Sequence, residues 1–280
     1  MNISLIGNTL IIEDICFDAR LTLIDSAQVF HWRQLNESEY ACVVNGRAVR
    51  LSEHASGFSL APVSESDIAF WQNYFDLTRD YQKISESCSE YPVAQRAMQL
   101  LPGLRVLNQP PWETIVTFII SANNNVSRIR QLIEKLIANF GTDGAFPSPG
   151  QLAEVSEDEL RALGFGYRAP YLINTAKLIT EGFPINSLQG MSYEEAHRLL
   201  LSLPGVGDKV ADCIQLFSTG HSEAFPVDVW VERLMKKWFV PDTLSKREIR
   251  AKAHEMFGKN AGIVQQSLFH CARLNLIPLE

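Results

Sequence analysis

The stretch that decides how this chain is interpreted lies in its C-terminal third and reads Leu203-Pro204-Gly205-Val206-Gly207-Asp208-Lys209-Val210-Ala211-Asp212-Cys213. Pro-Gly-x-Gly between two helical segments predicts a tight hairpin, because glycine permits backbone angles that other residues avoid. The N–H groups of Gly205 and Gly207 can approach a phosphate closely, since no side chain covers them. By itself such a hairpin is more often a plain turn, and the Gly-Lys-Ser/Thr ending of a nucleotide P-loop is missing.

Two charged residues make this hairpin more informative. Lys209 stands at the start of the helix after the hairpin, and Asp228 begins a further helix nineteen residues later. The positive end of a helix dipole disfavours an ammonium group and so favours a neutral, nucleophilic amine. Such an amine can attack the anomeric carbon of a deoxyribose, expel the base and form a Schiff base. Considered separately, Lys209 would be a solvated helix residue and Asp228 an ordinary N-cap.

The composition is that of a globular protein with one large domain or two modest ones, since 46% of the 280 residues are hydrophobic. We expect no membrane segment, because no apolar run approaches the roughly 18 residues that a span requires. The five cysteines are widely scattered, which predicts free thiols and no metal site. A chain without an evident secretion signal is expected in the cytoplasm.

The distribution of charge is uneven along the chain. A net charge of −7 argues against a non-specific nucleic-acid binder, because Lys and Arg supply most of that affinity. The acidic excess lies in residues 1–100, however, where 7 Lys and Arg face 13 Asp and Glu. Residues 228–260 hold 8 Lys and Arg against 5 Asp and Glu. The C-terminal part can therefore carry a basic face.

Patterning divides the chain into a β-rich N-terminal domain, residues 1–90, and a helical domain, residues 91–280. Asn45-Gly46 predicts a two-residue hairpin loop between strands at 40–44 and 47–51. Apolar residues recur at helical spacing from Ile129 to Phe140, and Gly141 is the expected end of that helix. Capping boxes predict further helix starts, at Ser156/Glu159, Ser192/Glu195 and Ser245/Glu248.

On these motifs the sequence resembles the helix-hairpin-helix, Gly/Pro/Asp superfamily of base-excision DNA glycosylases, and within it the 8-oxoguanine DNA glycosylases. The resemblance runs from about Ser26 to Phe269. It implies that Lys209 is the nucleophile and that Asp228 orients or electrostatically supports it. Related enzymes carry a four-cysteine iron–sulfur motif after this aspartate, whereas only Cys271 follows it here, so no cluster is expected.

Two further segments resemble the DNA-facing loops of these enzymes. In the segment 123–128, the resemblance implies that Asn123 fills the gap left by the extruded base and that Arg128 touches the estranged cytosine. In the segment 164–168, it implies that Tyr167 is the wedge that buckles the duplex and that Arg168 donates to the same cytosine.

A late segment, residues 261–269, resembles the helix that binds the flipped base. It implies that Gln265 bonds the Watson–Crick edge of the base and that Phe269 stacks on its face, and the two are four residues apart on one helix face. Cys213 would lie on the other face of the base. Without the resemblance, Gln265 would be a solvated residue, Phe269 a core residue and Cys213 a small buried hydrophobe.

The sequence departs from the family pattern at two positions. Ala27 stands where a glycine carbonyl of the family accepts the N7 hydrogen of 8-oxoguanine, and that contact survives only if the backbone angles suit alanine. Trp230 occupies a place that can hold a phosphate-binding histidine, so the indole N–H is the available replacement.

We therefore expect an α+β protein with an N-terminal antiparallel β-rich region, two helical subdomains and an active site beneath the hairpin at 203–209. The expected partner is double-stranded DNA containing an oxidised purine, bound by a monomer that needs no cofactor. The expected reaction is excision of 8-oxoguanine opposite cytosine, followed by β-elimination. A monofunctional alkylpurine glycosylase and a catalytically silent lesion-binding module are the alternatives. In a bacterium such an enzyme would lie in the cytoplasm with the nucleoid, and in a eukaryote in the nucleus.

Overall fold

The N-terminal part of the protein is a single antiparallel sheet. The computed structural model describes residues 1–277. The strands are β1 (Asn2–Ile6), β2 (Thr9–Glu13), β3 (Arg33–Gln34), β4 (Glu39–Val44), β5 (Arg47–His54) and β6 (Gly57–Ala61). They pair in the order β1-β2-β6-β5-β4-β3. Side chains of β4 alternate between buried and half-buried positions, as expected for a sheet with one face on a core.

The hairpin predicted at Asn45-Gly46 is confirmed. Val44 of β4 pairs with Arg47 of β5, which leaves two residues in the loop. Both have positive φ angles, 48° at Asn45 and 75° at Gly46. A two-residue loop of this kind matches the right-handed twist of the two strands, and asparagine and glycine tolerate its angles best.

Helices begin earlier in the chain than expected. The predicted change to helix at about residue 91 is wrong, because α1 (Ile68–Tyr74) and α2 (Tyr81–Ser87) precede it. The sequence of α1 is rich in aromatic residues, which favour strands as well as buried helices. Trp71 and Tyr74 of this helix are fully buried against the sheet. Burying each such side chain stabilises the fold by about 2–3 kcal/mol.

The rest of the described chain is helical. The helices are α3 (Pro92–Leu100), α4 (Pro111–Ser121), α5 (Val126–Phe140), α6 (Pro149–Ala153), α7 (Glu157–Ala162), α8 (Ala169–Thr180), α9 (Tyr193–Leu200), α10 (Asp208–Ile214), α11 (Val229–Trp238), α12 (Lys246–Phe257) and α13 (Ala261–Arg273). The helix predicted up to Gly141 is confirmed as α5, with Asn125 as its N-cap. All three predicted capping boxes are formed, at the starts of α7, α9 and α12.

Two hydrophobic cores hold the molecule together. One lies between the sheet and α1, and the larger one is built by the helices. In the larger core α10 packs on α4, and α13 packs on α3 and α11. The predicted α+β fold, with an antiparallel sheet followed by helices, is confirmed. Across residues 1–277, no helix combines the length and the apolar character of a membrane span.

Candidate active site

A single cleft of about 900 Å³ brings most of the predicted site residues together. Those that line it are Ala27, Asn123, Arg128, Tyr167, Arg168, Lys209, Asp228, Trp230 and Phe269. They come from segments far apart in the chain, so the fold rather than the local sequence assembles the cleft. The other four predicted residues sit in the same elements but outside the lining: Gly205, Gly207, Cys213 and Gln265.

The two hairpin glycines differ in what their backbones require. Gly205 has a φ of 79°, and a Cβ atom there would lie 2.7 Å from the ring of Tyr171. Only glycine fits that position without strain. Gly207 is the N-cap of α10 with a φ of −102°, so this residue does not use the backbone angles that only glycine permits. A Cβ atom at Gly207 would meet open space, so its backbone is accessible from outside.

Lys209 is the second residue of α10 and is half-buried. Its Nζ atom lies 5.3 Å from the ring centroid of Phe118, a cleft residue carried by α4. Cys213 follows one turn later, and its thiol is buried. Burial raises the pKa of this thiol to about 11, although the charge of Lys209 partly offsets the rise. The thiol is therefore protonated at neutral pH and is a poor nucleophile.

Asp228 is placed by its role at the end of a helix. It is the N-cap of α11, and its Oδ1 atom accepts a hydrogen bond of 2.8 Å from the N–H of Val231. This bond fixes the rotamer of the side chain at the edge of the cleft. Asp228 therefore caps α11 and lines the cleft at the same time.

Gln265 and Phe269 lie on one face of α13, as predicted. Phe269 is half-buried and lines the cleft. Gln265 is only 5% exposed, and its Nε2 atom donates to the carbonyl of Pro226 over 3.3 Å. Its Oε1 atom is buried and has no hydrogen-bond partner within the described chain. An unpaired buried acceptor is costly, so this amide oxygen fits a site that receives an N–H donor from a ligand.

Ala27 adopts the backbone conformation of a glycine. Its φ angle is 55°, in the left-handed region that alanine seldom occupies. Holding alanine there costs about 1 kcal/mol. Ala27 therefore lines the cleft with a strained backbone of the kind that glycine adopts easily.

Arginine side chains link the two loops that resemble DNA-facing loops, because each loop accepts hydrogen bonds from an arginine of the other. Arg128, from the start of α5, donates to the carbonyl of Gly164 over 3.0 Å. Arg168, just before α8, donates through its guanidinium to the carbonyls of Ala122 and Asn123. Asn123 itself has a φ of 55°, which asparagine tolerates better than most residues. Each loop is therefore held by an arginine from the other.

Tyr167 and Arg168 occupy different environments although they are neighbours. The ring of Tyr167 is 49% exposed, whereas Arg168 is 6% exposed. The guanidinium carbon of Arg168 lies 4.5 Å from the centre of the Tyr167 ring. An exposed aromatic ring supported by a buried cation has the form of a wedge that can enter a base stack.

Sequence reasoning missed several residues of the cleft, and three of their side chains are notable. Phe118 lies under Lys209, while Phe30 and Lys246 line the cleft elsewhere. Phe118 and Phe30 belong to apolar segments and carry no sequence signal that separates them from core residues. Lys246 lies in the basic stretch 228–260, and that local excess of charge was the available signal. Trp230 is 47% exposed at the cleft rim.

Comparison with known proteins places the chain in a family. Residues 116–259 match the model of the HhH-GPD superfamily of base excision DNA repair proteins, and residues 9–115 match that of the 8-oxoguanine DNA glycosylase N-terminal domain. The two models meet inside α4. The chain belongs to the HhH-GPD superfamily of base excision DNA repair proteins. Its N-terminal match places it among the 8-oxoguanine DNA glycosylases of that superfamily.

Individual relatives agree with this placement. A probable N-glycosylase/DNA lyase of Methanothermobacter thermautotrophicus is 37% identical over 61% of this chain and 64% of its own length. The N-glycosylase/DNA lyase OGG1 of Arabidopsis thaliana is 30% identical over 87% of this chain and 74% of its own.

A solved structure extends the likeness to the whole fold. The Clostridium acetobutylicum 8-oxoguanine glycosylase/lyase, in complex with double-stranded DNA containing cytosine opposite 8-oxoguanine, has a TM-score of 0.91. It is 31% identical and covers 99% of both chains.

Proposed function

We propose that this protein removes 8-oxoguanine from duplex DNA, with a preference for cytosine opposite the lesion, and then cleaves the strand by β-elimination. The observation that carries the proposal is the single cleft in which Lys209 and Asp228 meet Phe269 and Ala27. An amine, a carboxylate, a stacking ring and a backbone carbonyl are the groups that such an excision needs. The relatives named as N-glycosylase/DNA lyases support the same reaction.

The chemistry begins at Lys209. The lone pair of its amine nitrogen forms a bond to C1′ of the deoxyribose while the bond from C1′ to the base breaks. The electron pair of that bond leaves with the purine, which takes up a proton. The sugar ring then opens to a Schiff base at Lys209. Loss of a proton from C2′ and departure of the 3′ phosphate complete the β-elimination.

Asp228 supports this sequence electrostatically. Positive charge develops on the sugar and on the attacking nitrogen as the base leaves, and a fixed carboxylate stabilises that charge. Because the N-cap bond to Val231 already orients Asp228, little reorganisation is needed during the reaction.

Recognition of the lesion is assigned to other residues that line the cleft and to Gln265, which lies one turn before Phe269 in α13 but outside the lining. Phe269 stacks on the extruded purine, and the unpaired Oε1 atom of Gln265 accepts an N–H from its edge. The carbonyl of Ala27 accepts the N7 hydrogen. Opposite the lesion, Arg128 and Arg168 donate to the cytosine through the guanidinium N–H groups that do not bond the carbonyls of the two loops.

Trapping with borohydride tests substrate and mechanism in one experiment. Duplexes carrying 8-oxoguanine, an alkylated purine or no lesion are incubated with the protein, and released base and covalent adduct are both measured. We expect free 8-oxoguanine and an adduct that borohydride makes permanent, because reduction fixes the Schiff base. Lys209→Gln should abolish the adduct.

Lys246→Gln is the matched control, because Lys246 is also an amine of the cleft. Its adduct should form as in the unchanged protein. If trapping persisted in Lys209→Gln and disappeared in Lys246→Gln, the nucleophile would be Lys246. Release of an alkylated base without any adduct would instead support a monofunctional glycosylase, and binding without release of any base would support a silent lesion-binding module.

A further inference from the structure

Buried glutamine amides fix both ends of the segment Ser26–Gln28 that carries Ala27. On one side, the Nε2 atom of Gln266 in α13 donates to the carbonyl of Ser26 over 2.8 Å. On the other side, the Nε2 atom of Gln109 donates to the carbonyl of Gln28, also over 2.8 Å. Gln266, Gln109 and Gln28 are all at most 3% exposed. Both ends of the segment are therefore held by buried hydrogen bonds, which water does not replace.

The side chain of Gln28 adds a third anchor. Its Nε2 atom donates to the carbonyl of Arg105 over 2.8 Å, and its Oε1 atom accepts from the N–H of Leu107 over 2.8 Å. These bonds hold the C-terminal side of Ala27 to the stretch before α4. The bond from Gln266 is the counterpart on the N-terminal side.

The bond to the Ser26 carbonyl bears directly on the strained angle of Ala27. Rotation about φ of Ala27 turns the peptide plane between Ser26 and Ala27, and the Ser26 carbonyl lies in that plane. Relaxation of φ from 55° to an ordinary negative value would therefore swing this carbonyl away from the Gln266 amide. The hydrogen bond opposes the relaxation that alanine would otherwise favour.

We propose that Gln266 is a positioning residue for lesion recognition, which holds Ala27 in the left-handed conformation and so keeps its carbonyl directed at the base. This inference rests on the proposed function, because it assigns the Ala27 carbonyl to the N7 hydrogen of 8-oxoguanine. A glycine at this position would need no such support. Gln266 thus compensates for the alanine of this chain.

Gln266 acts on recognition and not on the amine. It follows Gln265 in α13, yet its amide contacts Ser26 rather than the cleft. None of its hydrogen bonds reaches α10 or Asp228. Loss of the Gln266 amide should therefore impair base recognition, while the reaction of Lys209 with the sugar of an abasic site should be unaffected.

The experiment compares two reactions of one variant. Gln266→Met keeps the length and apolar contacts of the side chain but removes the donor. Excision of 8-oxoguanine opposite cytosine should slow by about tenfold, the typical effect of removing one partner of a buried hydrogen bond. Cleavage of a preformed abasic site requires no base, and its rate should stay within about twofold, since no group that reacts with the sugar is altered.

A second substitution gives a signature that general destabilisation would not produce. Ala27→Gly in the Gln266→Met background should restore most of the excision rate, because glycine adopts a positive φ without support. Ser267→Ala is the matched control, since Ser267 is the next buried residue of α13 and its hydroxyl bonds only the Ile263 carbonyl of the same helix. Excision and abasic-site cleavage by Ser267→Ala should both proceed at the rates of the unchanged protein.

Three results would overturn the inference: unchanged excision by Gln266→Met, a parallel loss of abasic-site cleavage, or no recovery with Ala27→Gly. If Gln266→Met does not fold, Gln266→Asn takes its place, because its amide is one methylene too short to reach Ser26, and the same outcomes apply. Failure of the unchanged protein to release 8-oxoguanine would contradict the proposed function instead, so the two failures are distinguishable.

Discussion

The two functional sides of the cleft are built in different ways. The hairpin side, Lys209 and Asp228, comes from a single stretch of chain in which each residue is placed at the start of its own helix. The recognition side, Ala27 and Phe269, depends on contacts between residues far apart in sequence. The bond from Gln266 to Ser26 joins positions 240 residues apart.

This difference separates the chemistry from the selection of substrate. The groups that we propose to react, Lys209 and Asp228, stand at helix starts. The hairpin side should therefore tolerate changes elsewhere in the protein as long as α10 and α11 form. The recognition side instead requires that the sheet region, the stretch before α4 and α13 dock correctly. Variants on the two sides should therefore fail in different assays.

The largest effect should come from the hairpin side, through Asp228→Asn. Asparagine caps a helix as well as aspartate, so the stability of the fold should be nearly unchanged. Excision should nevertheless slow by about 10²- to 10³-fold, because a preorganised charge is lost. Single-turnover excision and thermal unfolding measure the two effects separately.

Asp228→Ala is the comparison that separates charge from capping. It should also lose about 1 kcal/mol of stability with the N-cap bond. A normal excision rate in Asp228→Asn would mean that the carboxylate serves only as a helix cap, and the division between the two sides would then rest on Lys209 alone.

A smaller effect is expected at Arg128. This residue belongs neither to the hairpin side nor to the recognition side of the cleft, and we assign it to the cytosine opposite the lesion. Arg128→Leu should reduce the preference for cytosine opposite the lesion by about tenfold, the discrimination that one good side-chain contact to a base provides. Excision opposite each of the four bases measures this preference.

Arg161→Leu is the control for the loss of an arginine, because Arg161 pairs with Glu157 on α7 and does not line the cleft. Its preference for cytosine should be unchanged. Equal rates opposite all four bases in the unchanged protein would remove the assignment of Arg128.

The smallest effect concerns stability, and it tests a buried histidine, His31, that lies outside the cleft. Burial lowers the pKa of His31 to about 4 from 6.5, so this residue folds as the neutral form. The unfolded chain binds this proton more readily, so stability is present above pH 6.5 and is lost as the pH falls towards 4. His31→Phe should reduce the loss between pH 7 and pH 5 by about 1–2 kcal/mol.

Chemical unfolding at the two pH values measures this difference. Glu113, whose Oε2 lies 3.7 Å from the ring of His31, has its pKa raised to about 7 by burial and contributes the opposite slope. The contribution of Glu113 is present both in the unchanged protein and in His31→Phe. His54→Phe is the exposed control, and an equal change there would contradict the role of burial.

Much of the hairpin side could be predicted from the sequence because its signals are local. Pro-Gly-x-Gly, the lysine after it and the capping boxes each depend on residues within one or two turns. The recognition side could be predicted only in part. Ala27 was identified by resemblance, but its left-handed backbone and the Gln266 bond depend on packing between distant segments, which periodicity does not report.

The errors have the same physical origin. The early helix α1 was missed because its buried aromatic residues satisfy strand and helix patterns equally. The sequence does not tell the two hairpin glycines apart, yet only Gly205 has a positive φ, and the neighbouring ring of Tyr171 leaves no room for a Cβ atom there. Neighbours in space decided both cases.

Hydrogen bonds from arginine side chains order the two DNA-facing loops while the chain folds, before any DNA is bound. Because Arg128 holds the Gly164 carbonyl and Arg168 holds those of Ala122 and Asn123, the loops are linked to each other as the chain folds. Little conformational entropy then remains to be lost when a duplex arrives.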